Sequence, residues 1–302
     1  MDTFSAPPLS WSASTKKRFD TCKRRHFYHR FWGQDPRTRW KLYEMRCITN
    51  LPKLRGEAVH AAISGALRGV RLGQDIDIET ARQSITEMLR CKYQESYTKM
   101  WASRESRKER KWSEICNLHE HYYGYPDVVQ KIRDAREVAW RCVENVMESD
   151  LWKGIITSDP KQWMEIDEEE FPCFDLEGIK VYTKIDFAHQ NGKPTIIDWK
   201  SGAKNPADRD QLLVYALYAR AKWDWDPAHT TLMAAYLQPG FELIEFTPTR
   251  EEIESTKDYV KRSFDEILAL EPAFGPANID DFPITDNKRA CLMCRFKVLC
   301  GE

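Results

Sequence analysis

The chain has 302 residues, and its 46 Lys and Arg against 47 Asp and Glu give a formal net charge of −1. That length accommodates one large domain, or one core with a sizeable insertion. No apolar run approaches the roughly eighteen residues that span a bilayer, and the opening MDTFSAPPLSWSASTKK lacks a signal peptide's apolar stretch, so a membrane protein is excluded and a soluble, cytoplasmic one expected.

The charge balance hides an asymmetry near the start. Between Lys16 and Arg55 thirteen Lys and Arg meet three acids, interleaved with Phe19, Phe27, Tyr28, Phe31, Trp32, Trp40 and Tyr43. Basic groups suit a phosphate backbone and aromatic faces stack on unpaired bases, which makes Lys23, Arg24, Arg25 and Arg30 candidate DNA contacts. A solvated helical face over an aromatic core fits the same pattern.

Next, PKLRGEAVHAAISGAL places Val59, Ala62, Ile63, Ala66 and Leu67 at helical spacing, which predicts a helix over about 56–68 that carries His60. A charged, helical pattern broken at YYGYPDV continues to about residue 155 and reads as an insertion. The acidic EIDEEE at 165–170 reads as a solvated loop without a role. GIKVYTKIDFAHQ and TIIDWKS are predicted strands of one hairpin, with Asn191-Gly192 as a two-residue turn. ADRDQLLVYALYARAKW predicts an amphipathic helix, TTLMAAYLQ and FELIEFT predict strands around Pro239-Gly240, and REEIESTKDYVKRSFDEILAL predicts a long helix. There is no internal repeat.

The predicted hairpin concentrates chemistry. Strand side chains alternate, so Asp198 and Lys200 share one face and Trp199 takes the other. If the register sets Asp186 opposite them, two carboxylates form a hard-oxygen site suited to Mg²⁺ or Mn²⁺ with a lysine beside it. Such a site suits phosphoryl chemistry. Gln211 and Tyr215, spaced i, i+4, present polar groups together on the following helix. Singly, each is an ordinary feature, since Asp-x-Lys on a strand is usually a surface ion pair. Their order along the chain is far more specific.

RGEAVH (55–60), YTKID (182–186), IIDWKSG (196–202) and QLLVYALYA (211–219) together resemble the RecB-like branch of the PD-(D/E)XK nuclease superfamily. That resemblance implies an α/β, restriction-endonuclease-like core: a mixed central sheet flanked by helices. It implies that His60, Asp186 and Asp198 ligate the metal, that Lys200 is the catalytic lysine, and that Gln211 and Tyr215 support it. Thr183 departs from the pattern, standing where such chains often have glycine.

The cysteines supply a second constellation. Nine cysteines in a reducing compartment are expected as free thiols or metal ligands. CLMCRFKVLCGE gives Cys291-x2-Cys294-x5-Cys300, three thiols that need a fourth ligand, for which Cys22 is the candidate. The pattern is similar to iron–sulfur nucleases of the same superfamily, the CRISPR-associated RecB-like exonucleases and the AddB nuclease domain. That similarity implies a [4Fe–4S] cluster stapling the chain ends, with structural Zn²⁺ as the alternative. Cys47, Cys91, Cys116, Cys142 and Cys173 lack ligand spacing and read as small core residues.

The expected organisation is one nuclease domain over 1–302: a basic, aromatic segment at 1–55, a helical insertion at 70–160, a catalytic core at 161–270 and the cysteine cluster at 271–302. The expected activity is a Mg/Mn-dependent deoxyribonuclease, an exonuclease on single strands or DNA ends in repair, recombination, phage or CRISPR-related processing, hydrolysing phosphodiesters by an activated water. The rival is a DNA-binding scaffold acting with a helicase or integrase. No phosphate-binding G-x-x-x-x-G-K-[ST] loop is present, so any motor belongs to another chain.

Overall fold

The computed structural model of the chain describes residues 8–31, 35–103, 105–167, 172–272 and 275–301. Trp32 of the aromatic set and Glu168, Glu169 and Glu170 of the acidic run lie outside the described residues. In chain order come helices α1 (Ala13–Thr21), α2 (Lys23–Arg30) and α3 (Pro36–Arg46), strand β1 (Ile48–Thr49), and helices α4 (Leu51–Arg71), α5 (Ile78–Tyr97) and α6 (Ser106–Glu109). Strand β2 (Asn117–Leu118) and helices α7 (His119–Tyr122), α8 (Val128–Met147) and α9 (Asp150–Ile156) complete the helical part. Strands β3 (Trp163–Ile166), β4 (Cys173–Leu176), β5 (Ile179–Tyr182), β6 (Phe187–His189) and β7 (Thr195–Lys200) follow, then α10 (Ala207–Trp223), β8 (Thr231–Tyr236), β9 (Glu242–Phe246), α11 (Arg250–Leu268) and α12 (Lys288–Leu292).

The architecture is α/β, as expected. A five-stranded sheet in the order β3-β6-β7-β8-β9 is mixed, with β7 and β8 parallel and every other neighbouring pair antiparallel. Its two faces sort the side chains by parity. Phe187, Ile197, Trp199 and Ala235 pack with α4 residues such as Val59 and Ile63 and with Val143 of α8, whereas Ala188, Ile196, Leu232 and Ala234 pack under α10. β7 is buried nearly throughout, as a central strand covered on both faces must be. Among the described residues no helix is long and apolar enough to cross a membrane.

Several boundaries differ from expectation. Asn50 caps α4 through the Lys53 amide (2.9 Å) and Pro52 sits in its first turn, so the helix begins at Leu51 rather than near Gly56. The long run 178–190 is not one strand. β5 pairs with β4 in a separate two-stranded sheet, and only β6 pairs with β7. The β6–β7 connection spans residues 190–194, longer than the two-residue turn predicted, although Gly192 does adopt φ +74° within it. The acidic run is not simply a solvated loop: Glu165 lies in β3, 2% exposed, with its carboxylate 3.1 Å from Lys222 Nζ, and Asp167 pairs with Lys184 at 2.6 Å. Cys116 and Cys142 are buried, but Cys91 and Cys173 are exposed and Cys47 half-buried, so those three are not core residues. Cys173 is exposed because it sits on the small β4–β5 hairpin, whose β4 strand buries only Leu176 fully.

Candidate active site

Four elements deliver the side chains. The register pairs Phe187 with Ile197 and Ala188 with Ile196, and continuing it one step back from Phe187 sets Asp186 beside Asp198. Asp186 Oδ2 accepts a hydrogen bond from the Trp199 amide (2.8 Å), which fixes that carboxylate across the strands. α4 brings His60, whose Nδ1 lies 3.0 Å from Asp186 Oδ1. α4 approaches the loop after β7 closely at Gly56, where a Cβ would stand 3.3 Å from Ser201 Oγ, a tight contact that glycine avoids. α10 supplies Gln211 and Tyr215.

These residues make a closed ring. Lys200 Nζ sits 2.5 Å from Asp198 Oδ2 and donates to Gln211 Oε1 (2.8 Å); Gln211 Nε2 donates to Tyr215 Oη (2.5 Å), and Tyr215 Oη donates to Asp198 Oδ1 (3.4 Å). Asp208, which the sequence reading missed, adds a second carboxylate 3.2 Å from Lys200 and accepts from Tyr236 Oη (2.9 Å). Its signal was available: it lies i, i+3 before Gln211 on the same helix.

Burial sets the electrostatics. Burial first, then the neighbouring Asp186 carboxylate, pushes Asp198 up to about 7. Burial would raise Asp186 too, but His60, the Trp199 amide and Lys200 bring it below the ordinary carboxylate value. For His60, burial works downward and the Asp186, Asp198 and Asp167 carboxylates overcome it, raising the imidazole to about 9. Lys200 is held charged against burial by Asp198 and Asp208. Tyr215 is raised well above its usual value, by burial and then Asp198, and so stays a neutral donor.

The donor set fits a hard divalent cation. Two buried carboxylates and an imidazole converge, and the ammonium of Lys200 and the ring of His60 now neutralise them. Asp198 Oδ2, buried, makes no hydrogen bond of good geometry despite the nearby ammonium. Among the described residues no group of three or more His, Cys, Asp or Glu is arranged to hold an ion. The site opens into a groove of about 760 Å³ that reaches from Ser10 and α1 to Tyr215.

At the other end of α1, Cys22, Cys291, Cys294 and Cys300 line a single cavity with Arg25, Tyr28 and Phe296. Cys22 is the N-cap of α2, its sulfur accepting from the Arg25 amide (3.4 Å). Burial raises the Cys294 and Cys300 thiols. Four thiols are the ligand kind and number of a four-coordinate metal or cluster, although sharing a cavity does not by itself arrange them around an ion. Of the candidate DNA contacts, Arg24 Nε donates to the Phe282 carbonyl (2.7 Å) and Arg30 forks onto Glu271 (2.8 and 3.1 Å), so both tie the chain's ends together. Lys23 lies over the Phe19 ring and is exposed, and Arg25 borders the thiol cavity.

Residues 10–301 match the family model of the PD-(D/E)XK nuclease superfamily. No curated protein matches the chain. Among solved structures, one titled "Crystal structure of SSO0001" is similar at 16% identity and a TM-score of 0.30, over 57% of this chain and 79% of that chain. So distant a likeness carries no chemistry.

Proposed function

The chain belongs to the PD-(D/E)XK nuclease superfamily, and from that premise we propose a Mg²⁺- or Mn²⁺-dependent deoxyribonuclease of the RecB-like, iron–sulfur branch, acting as an exonuclease on single strands or strand ends. The observation that carries this reading is the closed ring of Lys200, Gln211, Tyr215 and Asp198, set beside Asp186 and His60 in an open groove. A divalent cation held by His60, Asp186 and Asp198 would lower the pKa of a bound water and neutralise phosphate charge.

The chain's own residues supply the rest. Lys200 is held protonated and aimed by Asp198, Asp208 and Gln211, so it can orient the attacking water or stabilise the developing negative charge. Tyr215 and Gln211 fix the second oxygen of Asp198 and the ammonium in one network, which limits their rearrangement during reaction. Hydrolysis then proceeds by direct displacement, without a covalent enzyme intermediate.

In this reading Cys22, Cys291, Cys294 and Cys300 hold a [4Fe–4S] cluster, with structural Zn²⁺ as the alternative, and residues 1–302 act as one domain. The cluster reinforces ties already present between the ends, such as Tyr28 Oη donating to the Leu299 carbonyl (3.1 Å). The alternative within this reading is a scaffold working with a helicase or integrase; Ile284, Leu292, Met293, Val298 and Leu299 are large apolar side chains left exposed that a protein partner of any kind could cover.

The test is cleavage of 5′- and 3′-labelled linear single- and double-stranded DNA beside circular single-stranded DNA, with Mn²⁺, Mg²⁺ or chelator. Loss of the linear single strand with survival of the circle, abolished by chelator, supports the reading. Cutting of the circle contradicts the exonuclease, and cutting in chelator contradicts the metal.

A further inference from the structure

The groove has a second wall for which the ring chemistry gives no task. Ser10, Ser12, Ser14, Thr15 and Lys17 line it from α1 and the segment leading into α1, and Thr183 lines it beside Asp186. This wall is rigidly registered to the catalytic strands. Trp11 N donates to the Lys180 carbonyl (2.9 Å) and Tyr182 N donates to the Trp11 carbonyl (2.8 Å), so residues 10–12 run alongside the strand that continues into Thr183 and Asp186. The Trp11 indole, 1% exposed, anchors the segment by donating to Ser263 Oγ (2.8 Å).

The wall's chemistry is that of a phosphate site. Ser12 Oγ already accepts from the Thr15 amide (3.1 Å), but the N-terminal end of α1 is positive and no acidic residue stands in its first turn. Ser14 and Lys17 are exposed on the same turn and the next. An independent feature points the same way: Thr183 is 7% exposed, and its Oγ1 has no hydrogen-bond partner although its backbone amide is satisfied by Pro172 (3.1 Å). A buried hydroxyl without an acceptor, on the wall of a groove, is matched by a ligand that brings acceptors.

We infer that this wall is a subsite for a second phosphate of the bound strand, adjacent to the one at Asp186 and Asp198, with Lys17 supplying charge and Ser14 and Thr183 supplying hydroxyl donors. The inference rests on the nuclease reading, because it needs a nucleic-acid strand in the groove. It adds strand registration: a phosphate held on α1 fixes which linkage meets Lys200. The contacts reach only phosphate oxygens, so they carry no base preference. The phosphate is either an internal diester or a terminal monoester, and substrate choice separates the two.

The test measures binding of the full chain to a labelled single-stranded oligonucleotide in chelator, by fluorescence anisotropy across a salt series, with and without a 5′-phosphate. Lys17→Gln weakens binding about fivefold and lowers the salt slope by about 0.7, the value for one phosphate contact on a single strand. Lys17→Arg restores both, Thr183→Val weakens binding about threefold, and Thr183→Ser does not. The exposed Lys161, outside the groove, is the charge control as Lys161→Gln. With metal restored, Lys17→Gln raises KM much more than it lowers kcat. A gain in affinity from the 5′-phosphate that Lys17→Gln removes assigns a terminal phosphate, and Lys17 dependence without that gain assigns an internal one. If Lys17→Gln and Lys161→Gln behave alike on a wild type that binds, the subsite is wrong and the nuclease reading stands. If the wild type binds no nucleic acid, both fall.

Discussion

Lys200 Nζ lies 3.2 Å from Oδ1 of Asp208, a carboxylate eight residues further along, in the helix that follows its strand. That contact makes Asp208 a positioning residue for the ammonium. Asp208→Asn keeps an acceptor for Tyr236 but removes the charge facing Lys200. The expected result is a drop of about tenfold in kcat, of the order that a lost hydrogen bond to a charged group supports. Because Asp208 helps raise the Lys200 pKa, the alkaline limb of the pH–rate profile also moves to lower pH. A merely structural role would leave that limb in place.

Metal binding should release protons. With no metal bound, His60 titrates at about 9 and Asp198 at about 7, so below those values a cation must displace a proton from its ligands. Apparent Mn²⁺ affinity therefore rises with pH across the neutral range. Calorimetric titration in buffers of differing ionisation enthalpy reads the proton release directly. Affinity that is flat between about pH 6 and pH 9 contradicts the assigned ligands.

Acid should loosen the N-terminal segment. His26 is 1% exposed, and burial, then Arg18 and Arg30, lower its pKa from 6.5 to about 4. The folded chain keeps this ring neutral while the unfolded chain protonates it, so its stabilising contribution is full above about pH 6.5 and is lost as pH falls towards about 4. The slope is about 1.4 kcal/mol per pH unit for one such group. His26→Gln removes that part of the acid dependence of the melting temperature; an unchanged slope contradicts the assignment.

Removal of the metal or cluster from the four cysteines should lower the melting temperature and release both chain ends. Cys294→Ser does the same and abolishes metal loading, whereas Cys91→Ser and Cys173→Ser, both at exposed positions, change stability by less than about 0.5 kcal/mol. Iron, sulfide and zinc analysis after anaerobic purification identifies the occupant, and zinc without iron overturns the iron–sulfur branch.

Where one principle governed a segment, its structure was legible in the sequence. α10 spans Ala207–Trp223, the segment predicted, although eight consecutive residues from Leu212 to Ala219 are buried, so its middle is covered on every side rather than amphipathic as expected. Asp186, Asp198, Lys200, Gln211, Tyr215 and His60 converge because strand parity and helix spacing are strict geometric rules. The run 178–190 misled because strand propensity does not encode where a strand leaves one sheet for another, and Thr183–Asp186 makes that change. Glu165 looked solvated because its partner Lys222 is distant in sequence. The second wall of the groove was equally hidden: nothing local joins Trp11 to Val181, and only the folded chain sets Ser12 and Lys17 beside the catalytic strands.

The most direct test of the central claim is the rate of single-stranded DNA cleavage in Mn²⁺ by the wild type and by Lys200→Ala, with both proteins shown to be folded and equally metal-loaded. The account predicts cleavage by the wild type that chelator abolishes, and a loss of at least about a hundredfold in the variant. Equal cleavage by the variant, or none by the wild type, would contradict a hydrolytic site built on this lysine.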